Sequence, residues 1–243
     1  MITLSKRLQA AADFVPAGAV LVDVGTDHAY LPLYLVQNGK IPRAVAADVR
    51  EGPLQRAREH IDEAGLSDRI KTRLSDGLRN ITVDDGDALA IAGMGGMLLL
   101  RILREGETDH FKTMILAPQS DPEAVRRGLM EMDIRIIKEN FVYDGGKYYP
   151  VLQAVHGTDP DEDPVRLCYG KHLMPQAFET LRDYLSAERK TLTRALCQIE
   201  THAGGGAAAR KRMEELKDRI HLNAEAVRRI ETERTWNSVS ISE

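Results

Sequence analysis

Cysteine is scarce in this sequence, with two in 243 residues. Cys168 and Cys197 stand far apart and without metal-like spacing, which excludes a disulfide framework and a zinc site as organising devices. Long apolar runs are missing as well. None approaches the roughly 20 residues of a membrane span, and Met1 to Leu8 carries no apolar signal block. A cytoplasmic, monomeric protein with neither a membrane nor a metal partner is expected. A strong charge of one sign is also absent, the formal net charge being −4. That small value hides an uneven distribution: residues 1–163 hold 19 Lys and Arg against 26 Asp and Glu, and residues 164–243 hold 14 against 11. A mildly basic tail on an acidic body suits an anionic partner, or simply solvated helix faces.

What is present is an ordinary globular composition, 43% hydrophobic and 29% charged, long enough for one large domain or a domain with an appendage. Leu4, Leu8, Ala11, Ala12 and Val15 recur at helical spacing before Pro16-Ala17-Gly18. Strands are then predicted at 20–24, 44–49, 70–74, 87–92 and 113–117, and helices at 31–37, 53–64 and 98–103, with another opened by Asp121-Pro122-Glu123. Such alternation specifies a parallel sheet with helices on both faces. Ile134 to Tyr143 and Lys147 to His156 flank Asp144-Gly145-Gly146 and read as an antiparallel hairpin. An α/β, Rossmann-like sheet closed by such a hairpin is the class I methyltransferase arrangement, whereas dinucleotide dehydrogenases usually continue in parallel.

Gly157 to Pro164 is acidic and proline-bearing, which sets a boundary between a nucleotide-binding domain over 1–160 and a tail over 161–243. In the tail Phe178, Leu181, Leu185, Glu188, Leu192, Ala195 and Ile199 follow alternating steps of three and four, as do Met213, Leu216, Ile220, Asn223, Val227, Ile230 and Arg234. Gly204-Gly205-Gly206 separates them. Two heptad seams and a reversal predict an antiparallel coiled-coil hairpin. Its register sets Ile199 opposite Met213, Leu192 opposite Ile220 and Leu185 opposite Val227, and brings Glu188 into one layer with Asn223.

Ligands of open parallel sheets bind at the carboxyl ends of the strands. Asp23 ends the first predicted strand, Asp48 lies at the end of the second and Asp76 just past the third, so the three converge on one crevice. Asp48 follows Asp23 at an interval that suits an acid bonding ribose hydroxyls. The first turn departs from the phosphate-binding glycine fingerprint: Gly25 is followed by Thr26, Asp27, His28 and Ala29. Asp27 would repel pyrophosphate and attract a cation, so a positively charged cofactor is predicted, namely S-adenosylmethionine. Ser75-Asp76-Gly77 is either an adenine contact or a plain turn. Gly93-Met94-Gly95-Gly96 reads as a functional loop after the fourth strand, because idle glycines cost stability.

These segments, with SKRL near the start, DVGTDHAYLP, SDGL, IAGMGG and GKYYPVLQA, resemble the bacterial tRNA (adenine(22)-N(1))-methyltransferase family across the whole chain. One departure is Ala117-Pro118-Gln119, where the family is expected to place the glutamine before the proline. The resemblance implies methyl transfer from S-adenosylmethionine to N1 of a tRNA adenine. Asp27 and Met94 are then candidate catalytic residues. The candidate cofactor residues are Asp23, Gly25, Asp27, His28, Tyr30, Asp48, Ser75, Asp76, Gly77 and Gly93 through Gly96. Tyr30, Tyr148 and Tyr149 could stack on a base or serve the core. Arg7 could hold the cofactor carboxylate or an RNA phosphate, and Arg210, Lys211, Arg212, Lys217, Arg219, Arg228 and Arg229 are candidate phosphate contacts. A methyltransferase of the same fold acting on a protein or small molecule, and a non-catalytic coiled-coil adaptor, are the alternatives.

Overall fold

A computed structural model describes residues 2–173, 178–202 and 206–239. The chain divides into two compact units, Met1–Pro160 and Asp161–Glu243.

The first unit begins with α1 (Lys6–Phe14), capped by Ser5, whose hydroxyl accepts the Leu8 N–H. Seven strands follow: β1 (Leu21–Val24), β2 (Ala44–Asp48), β3 (Ile70–Leu74), β4 (Ala88–Ala92), β5 (Thr113–Ala117), β6 (Ile134–Asp144) and β7 (Lys147–His156). Between them run α2 (Tyr30–Gln37), α3 (Glu51–Glu63), α4 (Gly96–Glu105) and α5 (Pro122–Glu131). The strand order is β3-β2-β1-β4-β5-β7-β6. The first five are parallel, and β7 runs antiparallel to β5 and β6. The expected parallel sheet closed by a hairpin is therefore present.

Every residue of β1, β2 and β5 is buried, because helices cover both faces and successive side chains need opposite cores. Leu21, Ala46, Ala90 and Ile115 pack in the cluster fed by α1, α2 and α3. Val22, Val45, Leu89 and Met114 pack in the one fed by α4 and α5. The order reverses between β2-β1 and β4-β5, and a crevice opens at the carboxyl ends of the strands at such a reversal.

The second unit contains α6 (Pro164–Tyr169), α7 (Phe178–His202) and α8 (Ala207–Val239). Asp163 caps α6, its carboxylate accepting the Val165 and Arg166 N–H groups. This short helix has no counterpart in the sequence reading. The helical hairpin is formed as expected, with α7 packed on α8 and α6 also on α8. Asn223 is fully buried and donates to both the Leu185 carbonyl and the Glu188 carboxylate, so the expected polar layer exists. Burial is uneven along the seam. Leu181, Leu185, Leu216 and Ile230 are buried, whereas Leu192, Ile199, Met213 and Ile220 are only half-covered. Ala226, not the expected Val227, is the fully enclosed residue of its turn. The expected reversal at Gly204 and Gly205, and the side chains of Phe178 and Arg234, lie outside the described residues.

Candidate active site

The turn after β1 is built by backbone geometry. Gly25 adopts φ +80°, a conformation that favours glycine. The N–H groups of Gly25 and Thr26 both donate to the Ala47 carbonyl of β2, at 2.9 and 3.0 Å. A phosphate cradle needs free N–H groups at this turn, and here two are consumed. Two of the turn's N–H groups are thus spent on β2.

Asp27 itself faces away from the strand ends, toward α3. Its carboxylate is 62% exposed, accepts from Arg56 of α3 at 2.6 Å and lies 3.4 Å from His28 Nε2. The Arg56 hydrogen bond holds its carboxyl below the usual range. Paired outward in this way, it does not line the cavity described below. His28 and Tyr30 likewise stand aside: their rings cluster with His60 at centroid separations of 5.1 to 5.5 Å. Ala29 between them takes φ 55°, which starts α2 and turns the two rings to the α3 side.

A cavity of 310 Å³ lies at the strand ends, lined by Gly25, Asp48, Ser75, Asp76, Gly77, Gly93 and Met94 among the expected residues. Its size falls in the range of small-molecule sites. Asp48 Oδ1 accepts the Arg50 N–H at 2.9 Å, and Oδ2 has no hydrogen bond among the described residues, which leaves an acceptor for a diol. The Ser75 hydroxyl donates to the Gly77 carbonyl and accepts the Asn80 N–H, which closes the loop that lines the cavity. Asp76 is partly open, with Arg79 and Arg101 at 3.6 and 3.5 Å.

Asp23 lies beneath the cavity and outside its lining. Burial pushes its carboxyl up to about 6, against a hydrogen bond from Thr26 and reinforced by the neighbouring Asp48. Gly93 takes φ +93° and Met94 reaches back over the first turn, so that a Cβ on Gly25 would lie 2.6 Å from the Met94 methyl. Gly95 and Gly96 stand outside the cavity lining, where packing demands glycine. Gly95 caps α4, and a Cβ on Gly96 would meet the Ser120 carbonyl at 2.5 Å and Val125 at 2.7 Å.

Val49, Leu98 and Ile102 complete an apolar wall that the sequence reading missed, with Arg50 and Arg101 at its rim. Val49 and Leu98 are 58% and 41% exposed. An exposed apolar pair beside a diol acceptor is suited to a nucleoside base. The only legible signal was an apolar residue directly after a strand-end acid.

Residues 4–152 match the methyltransferase domain family. Over 232 residues the chain is 34% identical to the tRNA (adenine(22)-N(1))-methyltransferase of Bacillus subtilis, covering 93% of this chain and 98% of that protein. This chain belongs to the tRNA (adenine(22)-N(1))-methyltransferase family. The crystal structure of the B. subtilis m1A22 tRNA methyltransferase TrmK superimposes with a TM-score of 0.84 at 32% identity, covering 93% and 100% of the two chains. M. capricolum TrmK, solved with S-adenosyl-homocysteine, gives 0.82 at 27% identity over 94% and 100%.

The basic residues expected to meet RNA divide into two groups. Arg219 is engaged within the hairpin: its guanidinium makes two bonds to Glu188 Oε1, at 2.9 and 3.1 Å, and another to Cys168. Burial opposes its charge, but the Glu188 carboxylate beside it raises its affinity for the proton. It is an internal tie of the hairpin. Arg212, Arg228 and Arg229 pair with Glu215 and Glu225, and Arg229 also with Asp163. Arg210, Lys211 and Lys217 have no ion pair among the described residues. Nor have the exposed Arg189, Lys190 and Arg194 of α7, which the sequence reading passed over. Their signal was visible: Arg189 to Ile199 contains three cations and no acid. Among the described residues no cluster could hold a metal ion, and no helix is long and apolar enough to cross a membrane.

Proposed function

We propose that this protein transfers a methyl group from S-adenosylmethionine to N1 of adenine 22 in tRNA, acting as a monomer in the cytoplasm. The observation that carries the reading is the cavity joining Asp48, Val49 and Leu98 to the Gly93–Met94 loop, in a chain of this family. Asp48 holds the ribose hydroxyls, Val49, Leu98 and Ile102 flank the adenine ring, and Asp76 accepts its exocyclic amine. Bound there, the cofactor supplies an electrophilic methyl on a sulfonium.

The chain then has three tasks. It must hold the acceptor base in line with that methyl, keep water away, and tolerate positive charge as it moves onto the base. N1 lies on the pairing edge, so the nucleotide is unstacked and held against Gly93 and Met94. Asp23 and Asp48 leave carboxylate charge near the reacting end, and Asp27 contributes through its pair with Arg56 and not by direct contact. The hairpin brings phosphate contacts from Arg210, Lys211 and Lys217, with Arg189, Lys190 and Arg194 on α7. Arg212, Arg228 and Arg229 can join by exchanging exposed ion pairs, which are weak.

Incubation with labelled S-adenosylmethionine and unmodified tRNA, then nuclease digestion, tests the reading. Label in 1-methyladenosine that maps to position 22 is expected. Label confined to protein, to small molecules or to another tRNA position would overturn it.

A further inference from the structure

The turn after β5 carries a polar side chain that neither the fold nor the cofactor cavity uses. Gln119 follows the buried Pro118 and is exposed, and its carboxamide makes no hydrogen bond among the described residues. Its Nε2 lies against Gly93, where a Cβ would sit 3.8 Å from it. Gly93 and Met94 line the cavity at the strand ends, and Gln119 stands outside that lining. The backbone beneath the amide is fixed. The Gln119 N–H donates to the Met94 carbonyl at 2.9 Å, the Ser120 hydroxyl accepts the Gly96 N–H at 3.3 Å, and Asp121 is held at φ 54°, in the left-handed region. Such a conformation in a residue other than glycine persists where its surroundings impose it, and it concentrates at functional sites. The turn after β5 is thus tied to the loop after β4, with an unpaired amide projecting beside Gly93.

In the reading above, the acceptor adenine lies against Gly93 and Met94 with N1 toward the cofactor methyl. N1 is committed to the attack, and the neighbouring polar atoms left for recognition are the N6 amine, a donor, and N7, an acceptor. A carboxamide meets that pair in one plane, its oxygen accepting from N6 and its nitrogen donating to N7. We infer that Gln119 reads the N6 and N7 edge of the acceptor adenine and leaves N1 free. As the N1 lone pair forms its bond to the methyl, the sulfur departs with the electrons of the broken carbon–sulfur bond. Positive charge then spreads from N1 to the N6 amine, and the hydrogen bond from N6 to Gln119 Oε1 becomes charge-assisted. The contact is therefore stronger in the transition state than in the bound substrate. This inference rests on the methyltransferase reading and adds to it the residue that selects the base.

The test uses full-length wild type, Gln119→Ala and Gln119→Glu, with tRNA carrying either adenosine or 7-deazaadenosine at position 22. Wild type on the adenosine tRNA is measured first, and absence of 1-methyladenosine there overturns the reading of the whole site, whatever Gln119 does. Gln119→Ala is expected to lower kcat/KM on the adenosine tRNA roughly 10- to 100-fold, while affinity for S-adenosylhomocysteine and the melting temperature stay at their wild-type values. The 7-deaza base lacks the N7 acceptor. It is expected to lower kcat/KM about 10-fold in wild type and to have no effect in Gln119→Ala, where the bond it removes is already gone. Gln119→Glu keeps an acceptor for N6 but turns an oxygen toward N7, so it should prefer the 7-deaza base. A 7-deaza effect of equal size in wild type and Gln119→Ala would overturn the assignment. So would an unchanged kcat/KM in Gln119→Ala, or a loss of S-adenosylhomocysteine affinity as large as the loss of kcat/KM.

Discussion

Glu188 and Asn223 occupy one layer of the helical hairpin, Nδ2 of Asn223 donating to Oε2 of Glu188 across 2.9 Å. Around that pair, Tyr169 donates to Glu188 at 2.7 Å, Tyr184 donates at 3.2 Å, and Arg219 closes two bonds to Oε1. Burial and the Glu188 charge push the Tyr184 hydroxyl up to about 12, and Tyr169 is raised by the same two causes. The carboxylate is thus the hub of five donors. Glu188→Ala removes the acceptor that Arg219 and Asn223 share. Breaking a buried pair costs about 3–5 kcal/mol; with Arg219 27% exposed the expected loss is about 2–3 kcal/mol. Urea unfolding of the full chain followed by helical circular dichroism measures it. The Glu188→Ala/Arg219→Ala double variant is expected to lose less than the sum of the two single losses, which isolates the coupling.

The hairpin also shows what sequence makes legible. Heptad steps placed Glu188 beside Asn223, because period and reversal together set register. They did not reveal Arg219 as the counter-ion, since a cation next to the seam looks the same whether it turns in or out. In the first unit, β3, β5 and β7 were readable to their ends: Ser75-Asp76-Gly77, Pro118 and Gly145-Gly146 interrupt the strand pattern where the ladder stops. The six-residue α6 escaped because it is too short to show a helical period. Asp48 was legible as a strand-end acid. The outward turn of Asp27 was not, because its partner Arg56 arrives one helix, one strand and half of α3 later. The Val49–Leu98 wall needs two distant segments to meet, and only the fold brings them together.

Gly25 and Met94 give a prediction on the cofactor cavity. In Gly25→Ala the new methyl falls 2.6 Å from the Met94 Cε at a backbone φ of +80°, so the variant carries both a clash and a left-handed alanine. Affinity for S-adenosylhomocysteine is expected to fall, with a stability loss of about 1–2 kcal/mol from the backbone alone. Adding Met94→Ala removes the clash and leaves the φ cost. Calorimetric titration of the double variant should therefore recover part of the affinity while its melting temperature stays low.

Asp48 should behave differently. Its free Oδ2 supports nothing internal, so Asp48→Asn is expected to leave stability within about 0.5 kcal/mol of wild type. Loss of a charge-assisted bond to a diol costs about 1.5–3 kcal/mol, roughly a 10- to 100-fold weaker affinity for S-adenosylhomocysteine by titration. The control ligand is adenine, which has no ribose and should bind both proteins alike.

Asp23 makes stability depend on pH in a defined direction. Its carboxyl moves from 3.8 to about 6 on folding, through burial. Below about pH 3 both states carry the proton and the group imposes no penalty. Between pH 4 and 6 the unfolded chain ionises while the folded chain does not, so stability falls as pH rises, and above pH 6 the full penalty of about 3 kcal/mol is present. Asp23→Asn keeps the shape without the charge. It is expected to melt higher than wild type at pH 8 and to keep only a small part of that advantage at pH 4, as read by thermal unfolding at the two values.

The two classes of basic residue in the tail should separate by experiment. Arg219 is tied to Glu188, so Arg219→Ala is expected to lower the stability of the hairpin, and any loss of tRNA binding should follow that loss of folding. Arg210, Lys211 and Lys217 hold no ion pair among the described residues, so replacing all three by Ala should leave the melting temperature unchanged. If each neutralises one phosphate, the slope of log affinity against log salt becomes shallower by about 0.9 per contact, or about 2.7 for the triple variant. Binding at about 50 mM salt then weakens strongly, while at high salt the two proteins converge, because the lost term is counterion release. A triple variant with the wild-type slope would assign the phosphate contacts to the α7 face instead. The equivalent Arg189, Lys190 and Arg194 triple would then carry the change in slope, since those three side chains share one exposed stretch of helix with no acid to compete for them.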